Sequence, residues 1–324
     1  KKKTKQKYIY FFIFFLNNII TITINKMTFS DSESDISTIV PNNSIDIPFY
    51  TDYDSLISDS TYCFDSVESM ELFKNNGNNL SNEHSLQRMP DGQFKGVPMF
   101  QCMLKKDKSY LLNDSQKNLV IYKYIVIPTE SEEAYNYYKS QFLQDREAKF
   151  VCENKFHNVS IFKVEFAKIK NEGKYLSANK KRVYTLKFKD DSLKMTLECG
   201  DDNQIKNAKI DCKNMDTLNW DLTDKKNSQK NVYKLISQID DENKDLIGVF
   251  ESNKNNKIVN NFSLVEKDYL GTLRMPNVDY EKNKKIEFHD NEMLSELNEK
   301  IVAMTYVLIS YKRYRTQYNI SNIN

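Results

Sequence analysis

The 324-residue chain has little of what marks special architectures or chemistry. Seven glycines and six prolines exclude collagen-like and proline-rich builds. The three histidines, His84, His157 and His289, match no HxxxH, HExxH or mixed Cys/His spacing, so no metal centre is expected. Five cysteines, Cys63, Cys102, Cys152, Cys199 and Cys212, form an odd set without a CxxC pair. That usage reads as free thiols in a reducing compartment. Cys199 has no histidine near it in the sequence, so a thiol nucleophile has no support. No GxGxxG, P-loop or GxSxG motif occurs. The acid pairs Asp201–Asp202 and Asp240–Asp241 fall in predicted hairpin turns. No cofactor is expected, and the chain is not expected to be an enzyme.

Long apolar runs are scarce as well. The opening, KKKTKQKYIYFFIFFLNNII, has an apolar stretch from Tyr8 to Leu16 that Asn17 and Asn18 break, short of the roughly 20 residues a span needs. Residues 1–26 are read as a non-native or untranslated leader, with Met27 as the start; a signal or anchor is the alternative. Near the other end, Ile301 to Tyr311 is apolar or weakly polar on every face. At 1.5 Å per residue it measures about 16 Å, too short to cross a membrane. A helix with no polar face is not interfacial either, so it is expected inside the protein.

What the chain does have is charge, unevenly spread. Residues 1–26 carry six lysines and no acid, and residues 27–85 carry eleven acids against Lys74 alone. The rest is mildly basic. Residues 27–88, acidic and serine-rich, are expected to form a disordered tail. Within it Ser30 and Ser32 each stand three residues before an acid, as acidophilic kinases prefer.

Beyond this tail, strand signals dominate. NLVIYKYIVI (118–127) reads as a buried strand, and SIFKVEFAKIK (160–170) mostly alternates. RVYTLKFK (182–189) and LKMTLEC (193–199) flank a turn-forming DDS. Further strands are read at 97–104, 206–212, 218–222, 231–239, 246–251, 260–267, 269–275 and 284–289. Two helices interrupt them. Residues 129–149 open with a capping box, Thr129 and Glu132, and carry one apolar stripe of Ala134, Tyr135, Tyr138, Phe142 and Leu143. The second helix spans 290–316, with Glu292, Glu296 and Glu299 towards its start and bases at its end, as its dipole favours.

The expected fold is mainly β: a closed barrel of about twelve strands around the buried carboxy-terminal helix, with one amphipathic surface helix. The barrel domain is placed at 89–318. LNWDL (218–222), VYKLISQIDDENKDLIGVFES (232–252), NNFSLVEKDYLGTLRM (260–275) and the helix EKIVAMTYVLISYKRYR resemble the tubby carboxy-terminal-like superfamily. That group includes tubby, LURP-one-related and scramblase proteins. The scramblases' terminal span and cysteine-rich segment are missing here. The resemblance implies binding of phosphoinositide head groups by bases on the barrel rim.

The basic clusters are therefore the candidate lipid-binding residues: Lys180, Lys181 and Arg182; Lys225, Lys226 and Lys230; Lys282, Lys284 and Lys285; Lys312, Arg313 and Arg315. The expected function is a non-enzymatic module for anionic phospholipid, cytoplasmic and at most peripheral to membranes. The alternative is a protein-interaction module controlled by phosphorylation of the acidic tail. An enzyme or carrier using the barrel interior would need a large internal cavity. YKRYRTQY (311–318) interleaves aromatics with bases, but its place at a helix end favours dipole compensation, so no nucleic-acid partner is expected. Trp220, the lone tryptophan, is expected in the core.

Overall fold

The computed structural model describes residues 44–52, 60–105, 118–143, 147–172, 181–200, 204–211, 217–223, 230–238, 244–253, 269–276 and 294–321. The amino-terminal leader, Ser30, Ser32, and the strands read at 260–267 and 284–289 lie outside them.

Twelve strands close into one antiparallel barrel. In chain order they are β1 (Ser44–Asp52), β2 (Ser60–Cys63), β5 (Phe100–Lys105), β6 (Asn118–Pro128), β8 (Val159–Asn171), β9 (Lys181–Lys187), β10 (Ser192–Cys199), β11 (Ile205–Asp211), β12 (Thr217–Thr223), β13 (Lys230–Gln238), β14 (Lys244–Asn253) and β15 (Tyr269–Pro276). Each pairs with the next, and β15 returns to β1. The remaining strands are a small pair, β3 (Gln87–Arg88) and β4 (Phe94–Lys95), and β7 (Ala148–Asn154). β7 lies along the start of β8, up to Val164, and β9 takes over the same edge from Lys168.

Alternation explains the closure. One cluster of buried side chains draws members from all twelve strands, among them Ile47, Cys63, Phe100, Leu119, Tyr184 and Trp220. Gly271 sits beside the β1–β15 register shift with a positive φ of 151°. A Cβ there would lie 2.3 Å from the Glu251 carbonyl, so only glycine fits.

The barrel is filled by α3 (Glu296–Ser321). The helix starts at Glu296, later than the expected 290, because the Ser295 hydroxyl caps it by accepting from the Asn298 amide at 3.3 Å. Every residue from Lys300 to Tyr311 is buried. The hydroxyls on this stretch are satisfied locally: Thr305 donates to the Ile301 carbonyl and Ser310 to that of Val307. Tyr306 donates to the Phe100 carbonyl at 3.1 Å and meets the Phe49 ring edge-on.

The acidic segment corrects the sequence reading. Its described residues from Ser44 are not a disordered tail: β1 and β2 are barrel strands, so the barrel begins well before residue 89. Ile45, Ile47 and Phe49 alternate along β1 and register against Met275, Leu273 and Gly271 of β15. Pro48 turns its carbonyl, which accepts from the Phe64 amide at 3.1 Å, away from β15, so its missing N–H takes nothing from the β1–β15 ladder. Helix α1 (Val67–Asn75), capped by Ser66, buries Met70 and Phe73 against Tyr62, Phe64, Tyr124 and Ile161 on the outside of the wall. The acids meet bases of the body. Asp46 takes Arg274 in a two-pronged pair at 2.7 and 3.1 Å, and Glu68 takes Lys95. The opposite net charges of the two segments belong to one folded unit.

A second correction concerns the expected helix 129–149. Helix α2 spans Glu132–Leu143, and its cap is Ser131, which accepts from the Ala134 amide at 3.1 Å. Thr129 instead donates its amide to the Asn158 carbonyl. Residues 148–154 are strand β7. The stripe of Tyr135, Tyr138, Phe142 and Leu143 packs on Ile125, Ile127, Phe162 and Val164, as expected of a surface helix.

Candidate functional site

Among the described residues, a cavity of about 40 Å³ lies beside the start of α3, lined by Asp65, Phe94, Phe100, Lys123, Tyr124 and Glu299 among others. That is space for a water or two, not for an organic substrate. Its polar groups are engaged: Lys123 and Glu299 form an ion pair at 2.6 Å. Next to it Lys300 bonds Asp191 at 3.0 Å and Glu296 at 2.7 Å. Burial pulls the Lys300 ammonium down, but the two carboxylates outweigh it and hold it above its usual value. These pairs tie the amino-terminal end of α3 to β6 and to the β9–β10 turn.

The interior thiols are equally committed. Burial pushes the Cys63 thiol up to about 12, despite a hydrogen bond with Tyr306. Cys199 Sγ donates to the Tyr311 hydroxyl at 3.1 Å. The Cys63 thiol therefore carries almost no thiolate at neutral pH. Among the described residues no group of three His, Cys, Asp or Glu side chains could hold a metal ion. His84 sits in a 3₁₀ turn (Glu83–Ser85), and His157 in the β7–β8 turn with its ring between Phe94 and Phe156.

The basic clusters of the sequence are only partly visible. Lys181 heads β9 and pairs with Glu198 of β10 at 2.9 Å; its neighbour Arg182 is half-buried. Lys230 opens β13, and Lys312, Arg313 and Arg315 continue α3 beyond Tyr311. Lys180, Lys225, Lys226, Lys282, Lys284 and Lys285 lie outside the described residues.

The structure shows a different polar site, on the outer wall where β2, β5, β6, β8 and β7 run side by side. At its centre is the buried amide of Gln101. Its Nε2 donates to Ser60 Oγ at 3.0 Å and Tyr62 Oη at 3.1 Å. Its Oε1 accepts from Tyr124 Oη at 3.1 Å and Lys163 Nζ at 3.0 Å. Both donors and both acceptor positions are used, which fixes Lys163 in place. Lys149 of β7 stands directly opposite Lys163 and donates to Tyr122 Oη at 2.9 Å. Both ammoniums flank the Tyr122 ring, 4.8 and 5.2 Å from its centre. Burial first, and Lys149 second, hold the Lys163 ammonium below the usual lysine value. Lys149 is held above it, chiefly by the bond to Tyr122.

Sequence reasoning sought runs of adjacent bases and missed this site. Lys149 and Lys163 are fourteen positions apart, and only the pairing of β7 with β8 makes them neighbours. The signal that could have found them is the short, turn-forming ENKFHN between two alternating stretches.

A family model described as DIA1 matches residues 53–316, most of the chain. The chain belongs to the DIA1 family. The match takes in every strand of the barrel after β1, and most of α3. No curated protein and no solved structure matches it. Among the described residues no helix is long and apolar enough to cross a membrane.

Proposed function

We propose that this DIA1-family chain is a non-enzymatic module of tubby-like build that binds anionic phospholipid, a phosphoinositide above all, at the cytoplasmic surface of a membrane. The twelve-stranded barrel around a helix is compatible with the tubby superfamily. With the lumen filled, the outer surface is left for binding. One observation carries the reading: the β7–β8 hairpin exposes two phenylalanines, Phe150 at 61% and Phe156 at 62%, each following an exposed lysine, Lys149 and Lys155. Rings beside ammoniums suit the boundary between head groups and acyl chains, where each base near an anionic surface adds about 1 kcal/mol.

Co-sedimentation of the full chain with vesicles tests it. Binding should need phosphoinositide, fade as salt rises, and weaken when Phe150 and Phe156 are both changed to Asp. Absence of binding to either neutral or phosphoinositide vesicles would overturn the reading. The chain must be used whole, because removal of residues 1–85 would take β1, β2 and α1 out of the fold.

A further inference from the structure

The outer wall sets two ammoniums side by side. Lys149 and Lys163 are directly opposed across β7 and β8, an arrangement that like charges disfavour. Among the described residues neither ammonium has a carboxylate at ion-pair distance. Glu147, and after it Glu165, act on Lys149 only from beyond ion-pair distance, and Glu165 is taken by Lys168 at 2.7 Å. Lys163 is half-buried as well, so its charge is only partly solvated.

The donors left over share one ring. Lys149 spends one of three ammonium protons on Tyr122, and Lys163 spends one on Gln101 and one weakly on the Met103 sulfur. The Tyr122 oxygen accepts from Lys149 and keeps its own proton to donate. Two cations and one hydroxyl donor around a single ring match a doubly charged tetrahedral oxyanion. A singly charged carboxylate would leave one ammonium unbalanced.

We infer that Lys149, Lys163 and the Tyr122 hydroxyl form a binding site for a phosphate monoester, an inference that rests on reading the outer wall as the binding surface. The monoester could belong to a lipid head group or to a soluble phosphate, and the two sources are separable.

Calorimetric titration of the full chain with inorganic phosphate near neutral pH is the first arm. Wild type should bind, and Lys149→Met, an exposed position where folding is not at risk, should bind about tenfold more weakly or worse. Tyr122→Phe should also weaken it, while Lys194→Met, at an exposed position on β10 away from the site, should leave it unchanged. No binding by wild type, or equal binding by wild type and Lys149→Met, would overturn the site. The second arm compares vesicles containing phosphatidic acid, a monoester, with vesicles of matched charge containing phosphatidylserine. Preference for phosphatidic acid that Lys149→Met abolishes and soluble phosphate competes away assigns the site to lipid. Phosphate binding lost in Lys149→Met, with neither vesicle bound, upholds the site for a soluble phosphate while the lipid reading fails. Vesicle binding without phosphate binding does the reverse.

Discussion

The inside and the outside of this barrel handle polar groups in opposite ways. Inside, each charge or hydroxyl on the stretch from Glu299 to Tyr311 is matched by a near partner: Glu299 by Lys123, Lys300 by Asp191 and Glu296, Tyr306 by the Phe100 carbonyl. Outside, on the β6–β8–β7 wall, two ammoniums face each other without a carboxylate at ion-pair distance among the described residues. The two regions share β5 and β6, where Phe100 adjoins Gln101 and Lys123 adjoins Tyr122. The difference teaches that polar groups at the lumen are paired within the fold, whereas the described part of the wall keeps ammonium donors beyond those it spends internally.

The largest test of that contrast breaks the inside. Tyr306→Ala would empty the space beside Phe49 and orphan the Phe100 carbonyl, at a cost of about 3–5 kcal/mol in denaturant unfolding. A cost under about 1 kcal/mol would mean that the interior is not packed around α3.

Next in size is the ion pair at the amino-terminal end of α3. Lys123 and Glu299 are about nine-tenths covered, with side chains 14% and 12% exposed. Lys123→Met alone should cost about 1–3 kcal/mol, between the surface and fully buried cases. Lys123→Met with Glu299→Met should recover part of it, and a double-mutant cycle measures the coupling.

Thiol chemistry sharpens the comparison further. With its thiol pushed up to about 12, Cys63 should resist alkylation by iodoacetamide in the native protein at mildly alkaline pH, and react only on unfolding. Half-buried Cys152 on β7 should react faster than Cys63. Equal rates would place both in the same environment.

The smallest effect belongs to the wall. The folded protein holds Lys163 below the usual lysine value, so protonating it costs stability while it remains charged. Between the lowered folded value and the ordinary 10.5, the unfolded chain binds more protons than the folded one. Stability of wild type relative to Lys163→Met should therefore rise with pH through that window and level off above it. A flat or falling difference in thermal unfolding would contradict the burial of this ammonium.

How much of this was legible in the sequence depends on how far each signal reaches. Helix α3 could be read from one stretch, because an all-round apolar pattern in eleven residues has few other homes. The alternation of β9 was similarly local, and in the fold Tyr184 and Leu186 of β9 join Leu193 and Met195 of β10 inside. β1 and α1 were hidden because eleven acids dominate the composition of residues 27–85, while the groups that stabilise β1 lie far along the chain: Leu273 for Ile47, Arg274 for Asp46. β7 was lost to the helix before it, since Ala148 and Lys149 extend a helical pattern until the chain turns. The wall site needed the β7–β8 pairing and the buried Gln101 amide, and neither is a property of any short stretch.

The central claim is that α3 is a fixed core of the barrel and that the binding surface lies outside it. Native-state hydrogen exchange on the full chain tests this most directly. The account predicts that amides from Ile301 to Tyr311 exchange as slowly as those of the central strands, and only through global unfolding. Faster exchange of that stretch than of β10 and β13 would show the helix leaving the barrel while the wall stays folded, and would return the lumen to the list of working sites.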